Sequence, residues 1–199
     1  MQEARGTTVG DRSEGSSPGR FIASPRSWLL FAVVALVLLV VDQVTKVLAV
    51  RHLTDRDDIE LVGELLQLHL TYNPGAAFSL GTGFTEVLSA LAVAATVVVL
   101  WISRRAASKV WALGLGLLLA GIVGNLLDRI FRDPGPFRGH VVDFLMLPNW
   151  PVFNVADMCI NVGVAVVLLQ VLRGVALDGT RVPADAPDDK ADQDGEENP

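Results

Sequence analysis

Four aspartates stand within or beside apolar sequence, where a charged group needs a reason to be. Asp42 follows fourteen uninterrupted apolar residues, Trp28 to Val41. Asp128 closes a second apolar run, Asp157 lies near the start of a third, and Asp143 sits in His140-Val-Val-Asp-Phe144. Ionisable groups inside a membrane span are costly and mark candidate functional sites. Polar company travels with each. Asn154, Asp157 and Asn161 are spaced i, i+3, i+7 on one helix face, Asn125 and Asp128 are spaced i, i+3 with Arg129 adjacent, and Lys46 follows Asp42 by four. Two carboxylates held close together cannot both ionise readily, so one keeps a proton near neutral pH. The ionised member can then take a proton from water while the neutral one protonates a peptide carbonyl. That is aspartic-peptidase chemistry, and it calls for no metal or cofactor. Asp143 and Asp157 suit it best, because few cations neighbour them in the sequence. Asp42–Lys46 reads as a structural ion pair, and Asp128 with Arg129 as either a site residue or a brace.

Other chemistries have less support. One cysteine, Cys159, excludes a disulfide within the chain and any multi-cysteine metal site, and it reads as inert packing in an apolar run. Three histidines (His52, His69, His140) contain no HExxH pair, which argues against a zinc hydrolase; His69 and His140 read as interfacial polar residues. A Ser79–Lys46 nucleophile pair is a weaker candidate.

The elements that must position these residues are membrane spans. The chain is 51% hydrophobic and only 19% charged, with a mean hydropathy of +0.43; soluble domains carry about 25% charged residues. Four apolar stretches predict spans at about 28–50, 84–103, 109–128 and 152–173, each near the ~20 residues a bilayer core requires. Segments such as AVAATVVVLWI and ALGLGLLLAG lack the recurring polar positions of a soluble helix face. The first stretch reads as a retained span and not a cleaved signal, because no small-x-small site follows it and Asp42 and Lys46 interrupt its end. Gly116, Ala120, Gly124 and Asp128 form a small-residue stripe that lets another helix approach and turns Asp128 inward.

Lys and Arg near the span ends number seven on the N-terminal side of the membrane and five on the other, with a compact cluster at Arg104, Arg105 and Lys109. This predicts cytoplasmic termini. At ~1.5 Å per residue, Asp42, Asp128 and Asp157 then fall about 21 Å, 27 Å and 24 Å from the inner ends of their spans, all in the outer third. In the first outer connection, residues 51–83, the alternation in LLQLHLTY predicts a strand, closed by a turn at Asn73-Pro74-Gly75. A small sheet at the membrane surface should result. The second, residues 129–151, holds Pro134, Gly135, Pro136, Gly139 and Pro148 and is expected to be mostly irregular. Residues 1–26 and 178–199 lack the apolar content to fold and read as cytoplasmic tails around a unit at 27–177. The acidic tail carries the whole net charge of −6, so a nucleic-acid partner is not expected.

The boxes Asp42-Gln-Val-Thr-Lys46, Asn73-Pro-Gly-Ala-Ala-Phe-Ser79, Gly124-Asn-Leu-Leu-Asp-Arg129, Val141-Val-Asp-Phe144 and Phe153-Asn-Val-Ala-Asp157 occur in the order found in the lipoprotein signal peptidase (signal peptidase II) family. The resemblance covers roughly residues 28–172. It implies an all-α integral membrane protein with four transmembrane helices and a small extracytoplasmic β-cradle. It further implies a bacterial inner-membrane endopeptidase that acts on diacylglyceryl-modified prolipoproteins, in contact with membrane lipid. Such an enzyme cuts before the lipidated cysteine on the extracytoplasmic side and is inhibited by globomycin. The family's catalytic pair corresponds to Asp143 and Asp157. Asp42, Lys46, Asn73, Gly75, Asn125, Asp128, Arg129, Asn154 and Ala156 correspond to residues that bind substrate or order the site. The glycine pair before the GN box is Ala120-Gly121 here, and Pro74 stands at a variable position. The GxGD motif of presenilin-type proteases is absent. A proton-coupled transporter using Asp128 and Asp157 is an alternative, although its acids should lie nearer the midplane. A non-catalytic membrane chaperone is a third reading.

Overall fold

The computed structural model describes residues 24–75 and 84–181. Four helices, α1 (Pro25–Leu53), α2 (Thr85–Ser103), α3 (Lys109–Phe131) and α4 (Val155–Leu172), are each long and apolar enough to cross a membrane. Three strands, β1 (Ile59–Val62), β2 (Leu66–Asn73) and β3 (Val141–Met146), form one antiparallel sheet in the order β1-β2-β3. The fold is a four-helix membrane protein carrying a small sheet. The two tails beyond these limits, and Ser79 of the Ser79–Lys46 pair, lie outside the described residues.

Helix α3 is the central post. Half of its most apolar window (50%) is buried inside the protein, against 17–22% for the other three, so lipid-facing surface falls mainly to α1, α2 and α4. Its glycines explain how two helices reach it. A Cβ on Gly116 would stand 3.0 Å from the Phe31 carbonyl oxygen of α1, and one on Gly121 would press on the Ala156 carbonyl and Ile160 of α4. Small residues at such crossings let backbones approach closely. Helix α1 starts with Ser24 as N-cap, its side chain accepting from the Ser27 amide at 3.2 Å, and Pro25 in the first turn. At 29 residues it spans about 43 Å, more than a ~30 Å hydrocarbon core. Its last turns therefore stand against the sheet, where Ala49 and Leu53 pack with Val142 and Phe144. A second apolar cluster around Phe31, Trp111 and Leu115 holds the opposite end. There Trp111 Nε1 donates to the Val175 carbonyl at 3.1 Å, and the Leu177 carbonyl accepts from the Ala107 and Ser108 amides.

The second outer connection is more ordered than its prolines and glycines suggest. Val141–Met146 is a strand, with Val141, Val142, Asp143 and Phe144 all buried. Its partner is β2, in a register that sets Thr71 opposite Asp143 and Asn73 opposite Val141. The β-branched and aromatic run outweighs the turn residues before and after it. Helix α3 also continues past Asp128 to Phe131, so Asp128 and Arg129 stand inside its last turns.

Candidate active site

Asp157 is fixed by the way α4 begins. Asn154 is the N-cap: its side-chain oxygen accepts from the Asp157 amide at 3.0 Å, and Asp157 Oδ2 accepts from the Asn154 amide at 3.1 Å. This reciprocal capping box satisfies two otherwise orphaned donors and leaves the carboxylate little freedom. Asp157 Oδ1 accepts from Asn125 Nδ2 of α3 at 2.9 Å. Asp143 arrives on β3. Its Oδ1 accepts from Asn154 Nδ2 at 2.6 Å, and its Oδ2 accepts from Asn73 Nδ2, on the neighbouring strand, at 3.0 Å. Asn154 thus touches both carboxylates, one through its side-chain amide and the other through its backbone.

Both acids line one cavity of about 370 Å³. Asn73, Gly75, Asn125, Arg129 and Val141 line it with them, as do Ile160 and Asn161 of α4 and the segment Trp150–Phe153. Among the described residues neither carboxylate has an ion-pair partner; amides hold both. The Asp143 carboxyl is pushed from the usual 3.8 up to about 7, chiefly by burial and then by the Asp157 charge; the amides of Asn73 and Asn154 and the charge of Lys46 oppose this. Such a group holds a proton over much of the neutral range. Among the described residues no cluster of three His, Cys, Asp or Glu side chains could hold a metal ion.

Beneath this cavity lies a second set of charges. Lys46 Nζ, fully buried, sits 3.0 Å from Asp42 Oδ2, 2.9 Å from Asp128 Oδ2 and 2.9 Å from Asn125 Oδ1. Asp128 Oδ1 also accepts from Arg132 Nε at 2.6 Å. The i, i+4 pair expected from sequence is therefore present, and of the two readings left open for Asp128 with Arg129 the direct brace between them is not found. Asp128 pairs with Lys46 and Arg132, while Arg129 turns to the cavity and donates to the Gly75 carbonyl at 2.6 Å and to the Pro74 carbonyl at 3.4 Å. Adjacent helical residues point in different directions, whereas residues four apart share a face. Ala156 is fully buried beside Gly124. Away from the site, His69 makes an exposed contact with Asp58 at 2.7 Å, and Cys159 is a buried free thiol.

Sequence reasoning did not place Asn161, Arg132, Ile160 or Trp150–Phe153 among the site residues. Asn161 was marked by its spacing on the Asn154–Asp157 face, and Arg132 by its i+4 distance from Asp128. Phe153 opens the box that ends at Asp157, whereas Trp150, Pro151 and Val152 carry no local signal.

A family model described as signal peptidase (SPase) II matches residues 34–173, a stretch that includes every residue just placed around the cavity. The chain belongs to the signal peptidase II family. It is 46% identical over 167 residues to the lipoprotein signal peptidase of Leifsonia xyli subsp. xyli, covering 83% of this chain and 77% of that one. The lipoprotein signal peptidase of Rhodococcus jostii is 46% identical over 171 residues, 86% of each chain. That of Mycolicibacterium smegmatis is 47% identical over 166 residues, 82% of this chain and 71% of that one. Two solved bacterial membrane enzymes share the fold. Their TM-scores are 0.65 and 0.62 at 23% and 22% identity, over 78% of this chain and 93% and 98% of theirs. As a signal peptidase II the protein is a membrane peptidase, and these relatives give no support to a transporter.

Proposed function

We propose that this signal peptidase II is an aspartic endopeptidase that removes the signal peptide from diacylglyceryl-modified prolipoproteins by cutting before the lipidated cysteine. Asp143 and Asp157 are the catalytic pair. One observation carries the reading: a strand residue and a helix-capping residue, on different elements fourteen residues apart, meet at Asn154 and face the same cavity held by neutral amides. The pair shares one proton. Burial together with the neighbouring Asp157 charge keeps that proton on Asp143, which protonates the scissile carbonyl while Asp157 takes a proton from the attacking water. Asn73, Asn125 and Asn154 hold the carboxylates in place. Gly75, tied by Arg129, shapes the wall against which the scissile segment lies, and Ala156, buried in the first turn of α4 against Gly124, seats that helix on α3.

The distribution of charge supports an orientation. At the end away from the sheet Arg26, Arg104, Arg105, Lys109 and Arg173 are all exposed, and among the described residues no acid accompanies them before Asp178. At the sheet end, cations are interspersed with exposed Asp55, Asp57, Asp58, Glu60, Glu64, Glu86 and Asp133. By the positive-inside tendency the first end is cytoplasmic, together with the tails at 1–26 and 178–199 that flank the peptidase unit. The cavity then opens on the extracytoplasmic side of a bacterial inner membrane, within reach of water. Apolar faces of the helices offer a surface for the signal helix and acyl chains in lipid, and globomycin is an expected inhibitor.

The test is cleavage of a synthetic diacylglyceryl-prolipopeptide by the purified protein in lipid-containing micelles. Asp143→Asn and Asp157→Asn should each lower the rate by about 10²-fold or more. Wild-type inactivity, or unchanged cleavage by both variants, would refute the assignment.

A further inference from the structure

The buried cluster of Asp42, Lys46 and Asp128 takes no part in the chemistry just described, yet among the described residues it is the most deeply buried charge, at 0–1% exposure. Buried ion pairs are poor evidence for stability, because desolvation offsets their attraction. Their other hydrogen bonds are more informative. Asp42 Oδ1 accepts from the Ala156 backbone amide at 2.8 Å, and Asp128 Oδ2 accepts from the Val142 backbone amide at 3.2 Å. Ala156 immediately precedes Asp157, and Val142 immediately precedes Asp143.

Neither amide has an obvious alternative acceptor. The Ala156 amide belongs to the first turn of α4, where donors have no intrahelical acceptor, and Asn154 already serves the next one. The Val142 amide is received by a helix side chain. Both anchors meet on Lys46, whose third contact, Asn125 Oδ1, belongs to the amide that donates to Asp157. One lysine on α1 therefore ties together the backbone before each carboxylate and an amide that touches one of them.

We propose that Asp42 and Asp128 are positioning residues that, joined through Lys46, fix the separation of Asp143 and Asp157 by holding the amide that precedes each. The proposal rests on the assignment of that pair. Asparagine at position 42 offers one oxygen where aspartate offers two, so it can serve the Ala156 amide or Lys46 but not both; alanine serves neither. At position 128 one oxygen, Oδ2, receives both Lys46 and the Val142 amide while Oδ1 receives Arg132, so asparagine must turn its NH2 group on one of these donor sets. A graded loss follows, wild type above Asn above Ala. Displacement of a reacting group by about 1 Å costs on the order of 10²-fold in rate, with substrate contacts elsewhere intact.

Steady-state cleavage would be measured for wild type, Asp42→Asn, Asp42→Ala, Asp128→Asn and Lys46→Met, each normalised to the monodisperse folded fraction. We expect kcat to fall about tenfold or more in the Asn variants and further in Asp42→Ala, with KM within about twofold. Lys46→Met has a second signature. The charges facing Asp143 are Lys46 from α1, Arg129 and Asp128 from α3, and Asp157 from α4. Removing the lysine should move the pH profile of kcat towards higher pH, whereas a simple loss of folded protein would leave the profile in place. Should Asp42→Ala not fold, the Asn variants and the pH profile still decide. Unchanged kcat and unchanged pH profile in the folded variants, beside an active wild type, would overturn the positioning role alone. An inactive wild type would instead remove the catalytic pair on which it rests.

Discussion

Asn154 is the residue at which the stability of α4 and the geometry of the carboxylates can be separated. Truncation to alanine removes the cap on the Asp157 amide, worth about 1 kcal/mol, and the donor that reaches Asp143 at 2.6 Å and the Val142 carbonyl at 3.3 Å. Leaving such buried acceptors short of a partner costs a further ~1–3 kcal/mol, so Asn154→Ala should destabilise by about 3 kcal/mol. Asn154→Ser keeps a capping oxygen but loses the amide donor, and should recover about 1 kcal/mol of that. Cleavage should not recover with it, because serine's shorter side chain, committed to the cap, no longer holds Asp143. Unfolding free energies from denaturant titration in micelles, set beside kcat for each variant, test both halves. Equal stability of the Ala and Ser variants would show that the cap contributes nothing. Wild-type cleavage by Asn154→Ser would show that the Asp143 contact is dispensable, and the reasoning that makes Asn154 the joint of the site would fail.

Three further outcomes follow from the same geometry. With the Asp143 carboxyl near 7, kcat should fall on the alkaline side as that proton is lost and on the acid side as the pair takes a second, giving apparent values that belong to the pair; a flat profile from acid to alkaline pH, with chemistry limiting, would contradict it. A folded pKa raised above its unfolded value stabilises fully below about pH 4, and that contribution is lost as pH rises through about 7. Stability should therefore decline by up to about 4 kcal/mol between pH 4 and 8, and Asp143→Asn should flatten the slope in the same titration. Gly121→Ala would place a methyl group 2.6 Å from Ile160 Cγ1 and against the Ala156 carbonyl, spreading α3 from α4 beneath Asp157. A cost of about 1–3 kcal/mol, with reduced cleavage, is expected, and a neutral effect on both measurements would show that the crossing is looser than it looks.

What the sequence disclosed of this arrangement followed the strength of each local pattern. Long apolar runs identify the helices, and strict alternation identifies β2, because one of its faces meets apolar neighbours. Strand β3 has no alternation to show. Buried from Val141 to Phe144, it reads as a short apolar run between turn residues, a pattern that does not distinguish strand from loop or helix. Four exposed residues in β1 leave still less. The Asp42–Lys46 pair is legible at i, i+4, and so was Asp128–Arg132; the adjacent Arg129 drew attention because it belongs to the same box. Asn154 and Asp157 had the spacing of a capping box, which sets the start of α4 at Val155 and makes the cap part of the site. The backbone amides of Val142 and Ala156 are beyond any local pattern, since their acceptors come from other helices.

The division between neutral and charged partners has a physical logic. A cation in direct contact with a carboxylate strongly favours its ionised form, and a pair with both members ionised has no proton to give a carbonyl. An isolated carboxylate with no donors would be driven neutral by desolvation and would leave no base. Amides from Asn73, Asn125 and Asn154 stand between these extremes, satisfying the oxygens without adding net charge. Lys46 is set farther back, Arg129 lines the cavity without pairing to either carboxylate, and both are already engaged, Lys46 by Asp42 and Asp128 and Arg129 by the Pro74 and Gly75 carbonyls. Lys46 reaches Asp157 only through Asn125, by two contacts of 2.9 Å. Its field is therefore felt at the site without a direct ion pair, which suits a pair that must keep one proton and lose the other.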